Sequence, residues 1–289
     1  MRRNGREQKV KDGLVIGLLS VIPRKGMSRL MGRGGRLRLP GFVRRGFLRW
    51  YVRHYGVDLG EIGGGVEDYP TIVAFFTRAL KEGVRPVCPD PEAVVSPVDG
   101  KVYSVGDIVD GRLPQSLQLD FAVADLLDGD DRYADGHYAV LYLSPKDYHR
   151  VHSPIDGEIV GWRYRPGRLW PVFPAATRRI RDLFARNERL IVRLGTPDRG
   201  EVACVMVGAF GVGRMATTFA ELVTNTKGPS EERVLDPAVR IARAAELGRF
   251  EMGSTVVLVF QAGQVEWEIG PGDVVRMGAR IGRSGTTPE

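Results

Sequence analysis

The sequence predicts an α+β fold: a β-rich sandwich of hairpins with flanking helices and an N-terminal helical segment. From residue 92 onward, short apolar runs rich in β-branched residues alternate with turns that contain Gly and Pro, as strands and hairpins require. Before that point, Gly and Pro divide the chain into short helical stretches. At 289 residues, the chain is long enough for one large domain with an appendage.

The strands are predicted from short apolar runs bounded by turn residues. The clearest turn is Pro97-Val98-Asp99-Gly100, because Pro fixes φ and Asp-Gly suits a tight turn. This turn separates a strand at Val94-Val95 from one at 101–105. Further strands are predicted at 138–143, 158–162, 190–194, 202–210 and 255–260.

One turn sequence occurs twice in the chain. Ser96-Pro97-Val98-Asp99-Gly100 recurs as Ser153-Pro154-Ile155-Asp156-Gly157. Residues 270–278 have the Gly-rich hairpin composition of biotin- and lipoyl-carrier barrels, but no Lys occupies the turn tip that a carrier needs. The repeat predicts a sandwich of related hairpins. It also makes Asp99, considered alone, a turn residue.

Two helices are predicted beyond the N-terminal segment. Pro70-Thr71 is typical of a helix start, and the helix body is predicted at 72–80. Residues 238–247 are ambiguous, because a Pro followed by Ala and Arg also resembles a helix start. A second, amphipathic helix is predicted at 177–187, with one apolar face formed by Ile180, Leu183 and Phe184.

The N-terminal fifth of the chain carries all of its basic excess. Residues 1–55 hold 15 Lys and Arg against two acidic residues, a net charge of +13. Residues 56–289 hold 27 against 33, a net charge of −6. We therefore divide the chain into a basic amphipathic region, 1–60, and a main domain, 61–289.

The basic region has the pattern of helices that lie on a membrane surface. Residues 14–22 are a compact apolar run, too short for the roughly 20 residues that span a bilayer. Residues 42–51 interleave aromatic side chains with Arg, which suits the headgroups of an anionic membrane better than nucleic acid. We predict a peripheral protein on the cytoplasmic side of the cell membrane. The alternative is a tail that folds onto the main domain.

The cysteines and histidines predict neither a disulfide framework nor a metal site. The only two cysteines, Cys88 and Cys204, cannot form a disulfide framework for a chain of this length. So low a cysteine content is consistent with a reducing compartment. His149 and His152 lie three residues apart, but Ser-Pro pairs on both sides work against a regular helix. No Cys or His-Glu-x-x-His pattern accompanies them.

The Gly-Ser dipeptide Gly253-Ser254 occurs once in the chain and opens onto the apolar run 256–260. Most such dipeptides mark a turn before a strand. A Ser hydroxyl beside an unhindered Gly carbonyl can also attack the backbone, provided that a base and an orienting group activate it. His149 and His152 are the candidates for that base.

Four segments carry a resemblance to a known family: Ser96-Pro97-Val98-Asp99-Gly100, Leu143-Ser144-Pro145-Lys146-Asp147-Tyr148-His149-Arg150-Val151-His152, Leu183-Phe184-Ala185-Arg186-Asn187-Glu188-Arg189 and Gly248-Arg249-Phe250-Glu251-Met252-Gly253-Ser254-Thr255-Val256. They resemble, in order and roughly in spacing, the segments of bacterial pyruvoyl-dependent phosphatidylserine decarboxylases. The resemblance covers about residue 65 to the end and favours a strand and turn at 238–247. One departure is Met252, where the family often has Leu or Phe.

The resemblance implies a proenzyme that cuts itself between Gly253 and Ser254 into chains 1–253 and 254–289. Ser254 would become a covalent pyruvoyl cofactor, which forms a Schiff base with phosphatidylserine and yields phosphatidylethanolamine. By motif position, His152 is the base for the cut, Asp99 orients it, and His149 handles the substrate or delivers a proton.

The implied partners are phosphatidylserine, an anionic membrane surface and the two cleaved chains as a heterodimer, and further dimerisation is left open. The alternative function is a serine protease or esterase that uses Ser254, His152 and Asp99 without self-conversion. Against it, no Gly-x-Ser-x-Gly elbow surrounds Ser254. A non-catalytic membrane adaptor would leave the two histidines unexplained.

Overall fold

The computed structural model describes Gly17 and residues 23–116, 119–196, 200–211, 214–225, 228–251 and 255–285. Within these residues the fold is rich in β structure, and no helix is both long and apolar enough to cross a bilayer. The predicted α+β class is confirmed. The helices are α1 Arg24–Arg36, α2 Gly41–Tyr55, α3 Ile72–Phe76, α4 Val123–Leu126, α5 Pro174–Thr177 and α6 Leu183–Arg186, with 3-10 turns at Leu59–Glu61 and Val66–Asp68.

The strands are short and pair in antiparallel fashion. The predicted strand positions are confirmed, with ends that differ by a few residues. In chain order the strands are β1 Ala93–Val95, β2 Gly100–Asp107, β3 Arg112–Ser116, β4 Leu119–Ala122, β5 His137–Tyr142, β6 Arg150–His152, β7 Gly157–Arg165, β8 Arg189–Thr196, β9 Gly200–Val207, β10 Met215–Thr217, β11 Glu231–Ile241, β12 Glu246–Phe250, β13 Thr255–Phe260, β14 Val265–Trp267, β15 Val274–Val275 and β16 Arg280–Ser284.

An eight-stranded sheet in the order β11-β7-β8-β9-β13-β5-β2-β15 forms the centre of the molecule. Two three-stranded sheets, β1-β16-β14 and β10-β12-β6, contribute to the hydrophobic core on one of its faces. The β3-β4 hairpin and the short helices α4, α5 and α6 contribute to the core on its other face. This arrangement is the layered sandwich that the sequence predicts.

Strand β13 has apolar residues at every position from 256 to 260, where a strand with one exposed face would alternate apolar and polar residues. Val256, Leu258 and Phe260 belong to one core, whereas Val257 and Val259 belong to the other. A strand buried on both faces reads as a continuous apolar run. β13 therefore lies in the middle of the large sheet, between β9 and β5.

The N-terminal helices pack on a small apolar cluster of their own. Leu48 of α2 is fully buried there, together with Ile62 and Phe75. Helix α1 continues through its glycines without a break and ends at Arg36. Helix α2 begins at Gly41, directly after Pro40. The cluster lies on both sides of residue 60, and the division of the chain at that position stays a prediction.

The two helices predicted in the main domain are shorter than expected. The helix predicted at 72–80 ends at Phe76, because Leu80 instead pairs with Ile62 in a β-bridge. The helix predicted at 177–187 is two short helices, α5 and α6. The side chain of Gln115 separates them: it donates to the carbonyls of Thr177 and Ile180, at 2.8 and 2.6 Å, and accepts the amide of Leu183 at 2.6 Å.

Residues 238–247 form the end of β11 and the start of β12, so the strand interpretation is confirmed. The repeated turn also has one structure in both copies. Ser96 and Ser153 each donate through Oγ to the carbonyl two residues ahead, at 2.7 Å. A side chain at Gly100 or Gly157 would collide with a carbonyl oxygen of the neighbouring strand, at 2.6 and 2.5 Å. The two turns are related pieces of the sandwich.

Candidate active site

Backbone hydrogen bonds hold the Asp99 turn against the strand that carries His152. The His152 amide donates to the Pro97 carbonyl at 2.9 Å, and the Val95 amide donates to the Pro154 carbonyl at 2.9 Å. Both predicted residues therefore lie where the two copies of the turn meet.

The His152 imidazole is held at both ring nitrogens. Nδ1 lies 2.7 Å from the Ala244 carbonyl, which can only accept, so Nδ1 carries the hydrogen. The Tyr148 hydroxyl lies 3.0 Å from Nε2 and donates to it. Burial lowers the pKa of His152, and this effect outweighs the Ala244 carbonyl and the charges of Glu246 and Asp99, which raise it. His152 is therefore neutral at pH 7, with Nε2 as its basic atom.

Asp99 is bound by an arginine and a backbone amide. Arg85 donates to both carboxylate oxygens, from Nε to Oδ1 at 3.0 Å and from Nη2 to Oδ2 at 2.6 Å. The Met277 amide donates to Oδ1 at 2.9 Å. Arg85 also binds Glu61, at 2.6 Å. Asp99 thus makes no hydrogen bond to His152 in this structure, and its orienting role stays a prediction.

His149 is fully buried, and the Phe76 ring lies 4.0 Å from its own ring. Its Nδ1 donates to the Asp147 carbonyl at 2.8 Å. Desolvation lowers the pKa of His149 to about 3, although the carbonyl contact opposes this shift. Nε2 is buried and has no hydrogen-bond partner among the residues that the structure describes. His149 therefore offers a neutral, desolvated lone pair.

The loop before His149 is tied to the N-terminal helices. Tyr51 of α2 donates to the Pro145 carbonyl at 2.6 Å, and Arg78 donates to the Lys146 carbonyl at 2.7 Å. Asp147 accepts the Ser144 amide at 2.7 Å and so closes the turn. These contacts fix the carbonyl that orients His149.

Met252, Gly253 and Ser254 lie outside the described residues, but the chain on both sides of them is described. The Phe250 amide donates to the His149 carbonyl at 3.0 Å. Thr255 pairs with Tyr142 on one side and Val207 on the other. The chain thus passes beside His149 as it leaves β12 in the small sheet and enters β13 in the large one.

Two cavities open in this region. One, of about 350 Å³, is lined by Asp99, Tyr148 and charged side chains of both signs, among them Arg78, Arg85 and Asp147. The other, of about 260 Å³, is apolar and has among its walls Met31, Tyr51, Phe76, Tyr142 and Leu143. We call the second one the apolar cleft. Among the described residues, no cluster of three His, Cys, Asp or Glu could hold a metal ion.

Sequence analysis missed Arg85, Tyr148 and the Ala244 carbonyl. Tyr148 is adjacent to His149 in the sequence, so its position offered a signal that could have identified it. Arg85 stands 14 residues before Asp99 and no local pattern links the two. A backbone carbonyl carries no sequence signal at all, so the partner of His152 Nδ1 required the fold.

Comparisons with known proteins identify the family of the chain. The family model described as phosphatidylserine decarboxylase matches residues 72–283. The chain is 43% identical, over 94% of its length, to a phosphatidylserine decarboxylase proenzyme of Anaeromyxobacter sp. (strain K), covering 99% of that protein. Similar proteins of the same name from Myxococcus xanthus (strain DK1622) and Brevibacillus brevis (strain 47 / JCM 6285 / NBRC 100599) are 40% and 39% identical, over 94% and 89% of this chain and 99% and 92% of theirs. The chain belongs to the phosphatidylserine decarboxylase family.

Proposed function

We propose that the chain decarboxylates phosphatidylserine to phosphatidylethanolamine with a pyruvoyl group, which it makes by cutting its own backbone between Gly253 and Ser254. Family membership supports the reaction. The name of the relatives, proenzyme, supports the processing of a precursor. The observation that carries the proposal is the pair of buried neutral imidazoles, His149 and His152, next to the segment that leads into the cut.

His152 supplies the base for the cut. Ser254 Oγ bonds to the Gly253 carbonyl carbon while its proton passes to His152 Nε2. The Gly253–Ser254 amide bond then breaks as His152 returns that proton to the departing nitrogen, which leaves an ester and a free amine. Elimination of the Gly253 carboxylate and hydrolysis then yield the pyruvoyl group and ammonia. The Ala244 contact keeps the hydrogen on Nδ1 and Nε2 basic. Tyr148 has to release Nε2 first.

The residues near the cut fit a carbonyl cofactor and an amine substrate. Once formed, the pyruvoyl group supplies an electron sink for the carbanion left by the loss of carbon dioxide. We expect a hydrogen-bond donor beside His149 Nε2, which has no partner among the described residues, because buried polar atoms are nearly always hydrogen-bonded. The substrate ammonium is such a donor. His149 takes the proton that this ammonium loses when the amine reacts, and later returns it to the substrate α-carbon.

We propose that the chain binds the cytoplasmic face of the cell membrane through its N-terminal helices. Exposed apolar side chains on α2 support this location, since Phe42 is 75% exposed and Trp50 is 47% exposed. Arginines stand between them, as in helices that lie among anionic headgroups. The substrate is a membrane lipid, so a surface-bound enzyme can take it directly from the bilayer.

The test combines the mass of the purified protein with carbon dioxide release from carboxyl-labelled phosphatidylserine. We expect the wild type to consist of chains 1–253 and 254–289, with the small chain blocked to Edman sequencing. Ser254→Ala should stay intact. A wild type that remains one chain and still decarboxylates would contradict the proposal.

Asparagine variants separate the two histidines, because an Asn amide can replace the Nδ1 hydrogen bond but has no Nε2. His152→Asn should slow the cut by about a hundredfold or more, the usual contribution of a general base. His149→Asn should still be cut, yet release carbon dioxide poorly. The reverse pattern would exchange the two roles.

A further inference from the structure

We propose that a cluster of arginines between α1 and the β10 region binds the phosphodiester group of the lipid substrate. This inference rests on the function proposed above, because it assigns a binding site to that substrate. The cluster, which we call the arginine pocket, encloses about 290 Å³. Its charged walls are Arg29, Arg33, Arg36, Arg214 and Glu251.

The arginine pocket is built on one face of a helix. Arg29, Arg33 and Arg36 are spaced four and three residues apart on α1, so their side chains project from the same side. The Arg36 guanidinium lies over Gly32, where an added Cβ would come within 3.5 Å of it. The Gly211 amide donates to Ser28 Oγ at 3.1 Å and so holds the helix against the opposite wall.

The charges within the arginine pocket do not balance. Four arginines meet one carboxylate, that of Glu251. Arg36 takes one Glu251 oxygen at 2.8 Å, and Arg214 Nε lies 3.4 Å from the other without a hydrogen bond. Arg29 donates to the Asn225 side chain at 3.0 Å. Arg33 has no hydrogen bond or ion pair in the part of the chain that the structure describes.

A surplus of guanidinium groups around a cavity favours an anion with several oxygens. Guanidinium presents its N–H groups as a fork that matches two oxygens of one phosphate, and such charge-assisted hydrogen bonds are the stronger kind. A phosphodiester has two free oxygens and one negative charge. It can bind Arg33 and Arg29 without displacing Glu251 from Arg36.

The position of the arginine pocket connects this anion to the reaction. Glu251 is the last described residue before the Gly253-Ser254 bond. In a phosphoserine headgroup, only a few covalent bonds separate the phosphorus atom from the amine that must reach the cofactor. A phosphate held by Arg29 and Arg33 in the arginine pocket, which Glu251 also lines, would therefore leave the amine near the chain's cleavage position.

The apolar cleft shares Gly211 with the arginine pocket, and Met31 of α1 lines its wall. An anion-binding pocket and an apolar cleft side by side match an amphiphile, with its phosphate in one and an acyl chain in the other. Inorganic phosphate would use only the first. A phospholipid substrate uses both, so we assign the arginine pocket to the substrate.

The test compares Arg33→Gln with Arg38→Gln. Both residues are exposed arginines of the N-terminal region, but Arg38 lies after α1 and outside the arginine pocket. The assay uses dihexanoyl phosphatidylserine in neutral detergent, with no other anionic lipid. We expect Arg33→Gln to raise KM about tenfold, the scale of one charged hydrogen bond, while kcat and self-cleavage change less than about twofold. Arg38→Gln should leave KM within about twofold of wild type.

Three outcomes would overturn the assignment. Equal KM values for Arg33→Gln and Arg38→Gln would remove the arginine pocket from substrate binding. A defect that appears only on vesicles with phosphatidylglycerol would assign the pocket to a separate anionic lipid. If inorganic phosphate competes with substrate in the wild type, but glycerophosphorylserine binds no more tightly than inorganic phosphate, the pocket is a free-phosphate site.

A binding measurement separates failure of this proposal from failure of the proposed function. Calorimetric titration of glycerophosphorylserine into the Ser254→Ala protein requires neither cleavage nor turnover. Binding that Arg33→Gln weakens and Arg38→Gln preserves supports the arginine pocket even if the wild type proves inactive. An active wild type with unchanged titrations in both variants leaves the function in place and contradicts the pocket.

Discussion

At the scale of residues, one turn sequence serves two purposes. Asp99 accepts the Met277 amide at 2.9 Å, and Asp156, its counterpart in the repeat, accepts the Arg243 amide at 2.9 Å. Both carboxylates therefore do the same structural work. They differ in their surroundings, because the Asp99 side chain is 10% exposed and clamped by Arg85, whereas the Asp156 side chain is 65% exposed.

This pair supplies a matched test of the role of Asp99. Asn can still accept the backbone amide but carries no charge, so Asp99→Asn and Asp156→Asn both preserve the turn. The negative charge of Asp99 raises the pKa of His152, though less than burial lowers it. Removing that charge makes protonation of His152 harder, and we expect self-cleavage to slow about tenfold or more, equivalent to about 1.4 kcal/mol in the barrier.

Asp156→Asn should be cut at the wild-type rate. The measurement is the fraction of intact chain against time after synthesis in a cell-free system. Equal rates for the two variants would reduce Asp99 to the turn residue that its sequence pattern alone suggests. Circular dichroism of both proteins checks that the fold is retained.

At the scale of elements, the sequence predicts strands better than helices, for a physical reason. Residues 256–260 of the strand at 255–260 are all apolar because both faces of the strand are buried, and such a run can be recognised in the amino-acid sequence. The helix predicted at 177–187 fails because a single distant side chain, that of Gln115, takes the hydrogen bonds that would continue it. Such tertiary contacts leave no local pattern.

The same distinction applies to the candidate site. The segment containing His149 and His152 was identified by its resemblance to a family. The Arg85 clamp on Asp99 and the Ala244 carbonyl at His152 were not, because each joins parts of the chain far apart in sequence. The residues that react are predicted from the sequence and their roles stay predictions, whereas the contacts that hold His149, His152 and Asp99 required the fold.

Helix α2 has one face in the core and another exposed to solvent. Leu48 is fully buried, while Phe42 and Trp50 are exposed. We predict that Phe42→Gln combined with Trp50→Gln lowers binding to anionic vesicles at least about tenfold, since each aromatic side chain contributes about 1.5–3 kcal/mol when it leaves water. Binding of the wild type should also weaken with salt, because salt screens the arginines.

A single substitution elsewhere controls for the loss of exposed apolar surface. Val109 is 65% exposed and lies outside the N-terminal helices, so Val109→Gln should bind vesicles as the wild type does. Co-sedimentation with vesicles of stated phosphatidylglycerol content measures both variants. Unchanged binding by the α2 double variant would show that another surface meets the membrane.

At the scale of the whole molecule, the proposed cut divides a sheet and not two separate units. The small chain, 254–289, would contribute β13, which pairs along its full length with both β9 and β5. It would also contribute β15, paired with β2, and β16, paired with β1. All residues of β13 are at most 1% exposed. The two chains therefore share one core.

A shared core predicts that the cleaved protein stays together and unfolds as a heterodimer. Size exclusion should give one peak that contains both chains, at the elution volume of the uncut Ser254→Ala protein. Unfolding of the cleaved protein releases two molecules from one, so mass action makes its Tm rise with protein concentration. The Tm of Ser254→Ala, a single chain, should not depend on concentration. A small chain that elutes separately from native protein, or a Tm that is independent of concentration in the cleaved form, would contradict a heterodimer held by β13. The comparison depends only on the cut, because the two proteins differ by one residue and by one covalent bond in the connection between β12 and β13.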